Sequence, residues 1–175
     1  MKKFLSALLV TWYLAASVAF AVGYPRFWKG DTNYPLVWGK QGTAWYLDKK
    51  SVKIKLNDSP YYVITARTIA VSHSDYSPGN EKYSNDKDAG STLDYEFFYD
   101  EDEADMRIGY NSNWRYLRPN GSNVESGMAM YVGEAVFFVA TGCKFYGNYL
   151  WKYEEDKGKI DYLDPFKDDY YKDLR

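Results

Sequence analysis

The feature that most constrains the fold of this chain is the alternation of apolar and polar residues in two separate stretches. In residues 92–100 every second residue from Leu93 to Tyr99 is apolar or aromatic, and acids stand among the residues between them. Residues 52–56 repeat the pattern with lysines at the alternate positions. Because successive side chains of a strand point to opposite faces, this period predicts strands with one buried face. Such strands are typical of an antiparallel sheet covered on one side.

Further stretches bring the expected number of strands to between five and seven, arranged as a meander. The run 61–73 is rich in Val, Ile, Thr and Tyr and is long against the usual ~5–6 residues, so we expect a bend or bulge in a curled sheet. Residues 57–60 predict a turn before it, because Asn and Asp side chains bond to their own backbone. The other predicted strands cover 36–38, 43–48, 106–110 and 114–117.

Residues 135–140 form an unbroken apolar run that suits a buried strand or a buried helix, and its periodicity does not decide between them. Glu134 near its start, Lys144 near its end and Gly147 beyond it are typical of a helix. We therefore predict a helix over about 134–146. The expected fold class is α+β, a curled antiparallel β-sheet with one C-terminal helix packed on it.

The first residues have the pattern of a secretory signal peptide. Lys2 and Lys3 precede an apolar run that ends in Ala19-Phe20-Ala21, a small-x-small cleavage site. We predict cleavage after Ala21, while an uncleaved anchor over residues 4–22 is the alternative. No Cys lies near this site, so we do not expect a lipoprotein.

The predicted organisation is therefore a signal peptide over 1–21, a single β-rich domain over 22–150 and a charged, Tyr-rich tail over 151–175. That tail is either solvated or a short helix lying on the body. We expect the protein to be secreted across the cytoplasmic membrane to the cell surface or periplasm, with membrane contact only through the signal peptide before its cleavage.

Composition disfavours several functional classes. Lys+Arg number 22 and Asp+Glu 24, a balance that argues against a nucleic-acid partner. The single Cys and single His leave no intrachain disulfide and little for a metal site.

His73 stands beside Ser72 and Asp75, but triad members converge from separate elements rather than neighbouring positions. Cys143, which we expect to be buried in the helix, could act as a nucleophile only if His73 lay next to it in the folded chain. We predict no catalytic residues, no cofactor and no enzyme.

An acidic segment at 100–105 offers oxygen ligands of the kind that calcium takes. Asp100, Asp102 and Asp105 are the candidates, but the spacing of a calcium-binding loop is absent. We therefore predict a charged hairpin tip that like charges keep away from other sheet edges, and no metal site.

Aromatic residues make up 19% of the chain, and Tyr alone numbers 19. Tyr and Trp give large contact areas at low entropic cost and are enriched in binding hot spots. We assign Tyr95, Phe97, Tyr110 and Trp114 to the core. The tyrosines nearer the loops are the candidate exposed, partner-binding patch: Tyr76, Tyr83, Tyr99 and Tyr116. Two of them lie in or beside the polar stretch 74–91, which is either a mobile hairpin tip or a functional loop.

The stretch Trp45-Tyr46-Leu47-Asp48 followed by Ser51-Val52 resembles the opening of the surface-adhesin protein E family. The order of strands and the final helix over 36–147 is also similar. Small exported proteins of anaerobic bacteria are similar too, in the same opening and in Gly-Glu-Ala…Lys-Phe-Tyr-Gly. The resemblance implies a curled sheet with one helix, and attachment to host proteins. The family's disulfide needs two cysteines, and this chain has one.

Our leading hypothesis is an exported, non-enzymatic, adhesin-like binding protein of the bacterial envelope or surface. Its expected partners are host or envelope proteins or glycans. The alternative is a periplasmic structural or small-ligand-binding module, with an apolar pocket lined by Trp45, Phe97 and Trp114. A secreted hydrolase is a third, weaker hypothesis.

Overall fold

The computed structural model describes residues 24–40, 42–72, 90–110, 113–119, 127–148, 152–154, 159–161, 166 and 168–175. Within this part of the chain, six antiparallel strands form one sheet in the order β1-β2-β3-β4-β5-β6, and β7 and β8 form a separate pair. The strands are β1 (Leu36–Lys40), β2 (Thr43–Asp58), β3 (Tyr61–Ser72), β4 (Thr92–Asp100), β5 (Asp105–Tyr110), β6 (Asn113–Tyr116), β7 (Lys152–Glu154) and β8 (Lys159–Asp161). The helices are α1 (Gly127–Thr141) and α2 (Asp168–Leu174). The expected α+β class, a curled antiparallel sheet with one main helix, is confirmed.

The long hairpin is bent by an irregularity in β2. Asp48 pairs with Arg67 and Lys53 with Thr65, so residues 49–52 stand opposite Ala66 alone. We predicted two strands here, at 43–48 and 52–56, but they are one strand interrupted by this bulge. A second shift of register between Ile54 and Leu56 puts these two side chains on opposite faces, so the single apolar face predicted for 52–56 is wrong. The bend was expected in the run 61–73, whereas β3 pairs with β4 without a shift of register.

One serine replaces the ladder hydrogen bonds that the bulge removes. The Ser51 hydroxyl accepts a hydrogen bond from Arg67 N at 2.7 Å and donates one to Asp48 O at 2.6 Å. A bulge held in this way re-aims the side chains around it. The bulge thus sets the arrangement of charged residues on the middle of the sheet.

The main core lies between one face of the sheet and α1. Leu47, Ile64 and Phe97 on the strands pack in one buried cluster with Val136 and Phe137 of the helix. The alternation predicted in β4 is confirmed on the part of the face that α1 covers, where Phe97 and Tyr99 are fully buried. Leu93 lies at the far end of the same face and is exposed.

The helix boundaries that we predicted are wrong. The helix begins at Gly127, seven residues before Glu134, and ends at Thr141, so Lys144 lies beyond it. Gly142, at φ 78°, ends the helix and donates from its N–H to Phe138 O at 2.8 Å. Residues 132–138 are all buried, and a helix enclosed on most sides carries little polar pattern to mark its ends.

The opposite face of the sheet, which we call the outer face, is covered at one end only. The chain from Tyr24 to Leu36 packs over Ala44, Tyr46 and Val71, which are buried in a second cluster. Further along the strands, the outer face is open.

The C-terminal residues pack against α1. Tyr171 and Leu174 of α2 are buried, and the Tyr170 hydroxyl donates to Tyr131 O at 2.6 Å. Arg26 forms an ion pair with Asp173. Of our two alternatives for the tail, residues 168–174 form the short helix lying on the body.

Candidate functional site

The open part of the outer face presents three neighbouring rows of side chains, set by strand register. Partners across an antiparallel sheet stand side by side on one face, so each row forms a continuous surface. The first row holds Asp48, Arg67 and Asp94, the second holds Lys53, Thr65 and Glu96, and the third holds Leu56, Val63, Phe98, Arg107 and Tyr116.

The first two rows form a groove of about 640 Å³ across the middle of the sheet. The Arg67 guanidinium donates two hydrogen bonds to the Asp94 carboxylate, from Nε to Oδ1 at 2.7 Å and from a terminal nitrogen to Oδ2 at 3.2 Å. The Arg67 guanidinium holds the pKa of Asp94 below its usual value. Lys55 reaches Glu96 at 2.7 Å. Because exposed ion pairs contribute little to stability, the fold does not require these four charges.

Aromatic side chains stand on the outer face beside the groove, one each on β3 and β4 and two on β6. Tyr61 and Phe98 stack with ring centroids 6.1 Å apart, and Phe98 lies 5.9 Å from Trp114. Tyr61 and Trp114 are each 44% exposed, and Tyr116 is 49% exposed. We call Tyr61, Phe98, Trp114 and Tyr116 the aromatic strip.

Gly109 joins the groove to the aromatic strip. This glycine lines the groove and pairs with Trp114 across β5 and β6. A Cβ at Gly109 would stand 3.2 Å from Cζ3 and 3.4 Å from Cη2 of the indole. The ring therefore lies against the backbone of β5 at a residue that also lines the groove.

The predicted tyrosine patch is only partly retained. Tyr116 is exposed on the outer face. Tyr99 was expected to be exposed, but it is fully buried, and its hydroxyl donates to Gly133 O at 2.8 Å. Tyr99 shares the face of Phe97, so α1 covers it although a turn follows it. Tyr76 and Tyr83 lie outside the described residues.

Trp114, which we assigned to the core, lies on the outer face instead. The apolar pocket expected between Trp45, Phe97 and Trp114 is consequently wrong, since Phe97 is fully buried on the face that packs against α1. Trp45 packs on that same buried side. Tyr95 and Phe97 do belong to the core region, as predicted.

The carboxylates of the acidic segment accept hydrogen bonds from the segment's own backbone and from Arg107. Asp100 Oδ1 accepts from Asp102 N at 3.1 Å, and Asp105 Oδ2 accepts from Arg107 Nε at 2.8 Å. Within the described ranges, no group of three or more His, Cys, Asp or Glu side chains is arranged to hold a metal ion.

Cys143 is exposed just beyond the end of α1, so its predicted burial in the helix is wrong. His73 and the cleavage-site residues Ala19 and Ala21 lie outside the described residues. In the described part of the chain, no helix is both long enough and apolar enough to cross a membrane.

Sequence reasoning missed the structural role of Glu134. Its carboxylate is fully buried and accepts from Phe145 N at 3.0 Å, Tyr146 N at 2.7 Å, Gly147 N at 3.4 Å and the Tyr171 hydroxyl at 2.7 Å. Burial raises the pKa of Glu134 and outweighs the opposing effect of these donors. The sequence signal that could have indicated this role was an acidic residue next to an apolar run, which we interpreted as the start of a helix.

Comparisons of the chain with protein-family models, with curated proteins and with solved structures return no match in any of the three.

Proposed function

We propose that this chain is an exported, non-enzymatic binding protein of the bacterial envelope or surface, and that it binds its partner through the outer face of the sheet. The observation that carries this proposal is the location of its exposed apolar side chains. Six large ones are exposed in the described part of the chain, and four of these share the outer face: Leu56, Tyr61, Trp114 and Tyr116.

Exposed aromatic side chains gathered on one face support binding for a physical reason. Each ring leaves apolar area in water that burial against a partner would remove, a gain of about 25 cal/mol per Å². The same chain buries many other aromatic residues, including Tyr46, Tyr99 and Tyr146. The rings left on the outer face are therefore not explained by a lack of core.

The charges of the groove support binding more than catalysis. Asp94 is held ionised by Arg67, and a general acid near neutral pH needs a raised pKa instead. Glu96 is paired with Lys55. Export rests on the Lys2–Ala21 signal pattern, and the adhesin-like interpretation rests on the resemblance around Trp45.

The alternative is a periplasmic small-ligand-binding module. The groove favours it, because about 640 Å³ lies within the ~300–1,000 Å³ usual for small-molecule sites. Protease treatment of intact cells separates the two locations. Cleavage of this protein with a cytoplasmic control intact supports surface display, and protection until the envelope is opened supports the periplasm.

Sedimentation of the purified chain with isolated envelopes tests the binding face directly. The variant Y61A/W114A/Y116A removes the exposed rings, and I54A/L93A is the matched control. Ile54 and Leu93 are comparably exposed but stand on the opposite side of the sheet. We expect the triple variant to lose binding and the control to keep it. Equal binding by both variants would contradict the proposal.

A further inference from the structure

We propose that the partner of the outer face is a glycan, namely a neutral oligosaccharide or polysaccharide laid across the aromatic strip and the groove. This inference rests on the proposed binding function and adds the chemical class of the ligand. It is argued from the flat rings, from the mixed charges beside them and from their relative positions on the sheet.

The aromatic strip matches the apolar faces of sugar rings. A pyranose presents C–H groups on one face, and these pack on a flat aromatic ring while the hydroxyls point outward. Tyr61 and Phe98 are nearly parallel, at 21°, and the Trp114 ring is inclined to Phe98 at 57°, so the strip offers rings in two orientations. From β3 to β6 the strip spans three strand spacings, about 14 Å at 4.7–4.9 Å per spacing, which suits a chain of sugars rather than a single ring.

The groove supplies what the hydroxyls require. A hydroxyl donates one hydrogen bond and accepts others, so its site needs donors and acceptors together. The lining alternates the two kinds, with ammonium and guanidinium donors beside carboxylate acceptors: Lys50, Lys53, Lys55 and Arg67 beside Asp48, Asp94 and Glu96. Four cations against three acids leave the groove near electrical balance, which favours a neutral ligand over a strongly charged one.

The layout distinguishes a glycan from a protein partner. Protein interfaces place aromatic anchors in a dry centre with polar groups at the rim. On this face the rings do not enclose a dry centre. Arg107 stands between Phe98 and Tyr116 in the same row of side chains, and the charged groove runs alongside the aromatic strip. A sugar chain satisfies both parts at once, because each of its rings has an apolar face and a polar perimeter.

Affinity electrophoresis of the purified chain tests the inference. Gels would contain soluble mixed-linkage β-glucan, glucomannan or dextran, with alginate as an acidic comparison. We expect at least one neutral polysaccharide to retard the chain more than alginate does. Trp114→Ala is expected to weaken that retardation by about tenfold, and Leu93→Ala to leave it unchanged. Circular dichroism melts of both variants verify that they fold.

Two results would overturn the inference. One is that no neutral polysaccharide retards the chain more than alginate does, and the other is that Trp114→Ala is retarded as strongly as wild type. Envelope sedimentation separates the two proposals. Binding that survives protease digestion of the envelopes supports the glycan. Binding that protease abolishes, but that still needs the aromatic strip, overturns the glycan and leaves the binding function standing.

Discussion

The buried carboxylate of Glu134 makes a sharp prediction about what holds the C-terminal part of the domain. Removing it by Glu134→Ala leaves the N–H groups of Phe145 and Tyr146, both on fully buried residues, without their acceptor. Each orphaned buried donor costs about 1–3 kcal/mol, so the variant should lose about 2–6 kcal/mol of unfolding free energy. For a domain of this size that corresponds to a fall in Tm of roughly 5–20 °C.

Tyr171→Phe provides the graded comparison. It removes only the hydroxyl that donates to Glu134 at 2.7 Å, and the N–H groups of Phe145 and Tyr146 keep Glu134 as their acceptor. A bond to a charged acceptor contributes about 1.5–3 kcal/mol, so Tm should fall by roughly 3–10 °C. Glu103→Ala is the matched control, because this acid is exposed in the turn between β4 and β5. Thermal melts followed by circular dichroism measure all three variants. A Glu134→Ala midpoint within about 2 °C of the wild type would refute the reasoning.

The pH dependence of the same group has a definite sign. Burial raises the pKa of Glu134, so the native state holds this proton at a higher pH than the unfolded chain does. The stability linked to this group is complete below the unfolded pKa, about 4.3, and is lost as the pH rises through the native pKa. Chemical unfolding from pH 4 upward should show this loss in the wild type and not in Glu134→Gln. The same pH slope in both proteins would contradict the assignment.

Three further predictions concern single positions. Gly147→Ala should cost about 1–3 kcal/mol in denaturant melts, because its Cβ would stand against the Tyr171 hydroxyl. Arg67→Ala should leave the unfolding midpoint unchanged while weakening retardation by polysaccharide, because its ion pair with Asp94 is exposed. Tyr116→Phe should keep most ligand affinity, and Tyr116→Ala should lose it, if the ring provides the contact; equal loss in both would assign the contact to the hydroxyl instead.

The sheet could be predicted from the sequence because its signal is local. Alternation in β4 places Phe97 and Tyr99 on one side, and the structure buries both. The same alternation did not show that Leu93 and Ile54 would be exposed, since α1 covers only part of that face. How much of this face α1 covers depends on tertiary packing, and the alternation of apolar and polar residues alone does not determine it.

The candidate site was harder to predict because it depends on register. Trp114 was assigned to the core from its place in a strand, and only its pairing with Gly109 puts it on the outer face. The bulge at residues 49–52 and the second shift of register at Lys55 offset the strand, and together they decide which lysines of β2 stand beside Glu96. Tyr116 could be selected from the sequence as an exposed residue, because it lies close to a turn. Its ring is exposed on the outer face of the sheet.

The most direct test of the binding face is a photo-crosslinking residue placed at position 116 in cells that express the protein. Position 93 is the matched control, because Leu93 is comparably exposed on the other side of the sheet. The account predicts ultraviolet-dependent adducts with an envelope component from position 116 and none from position 93. Adducts of equal yield from both positions, or from position 93 alone, would contradict it.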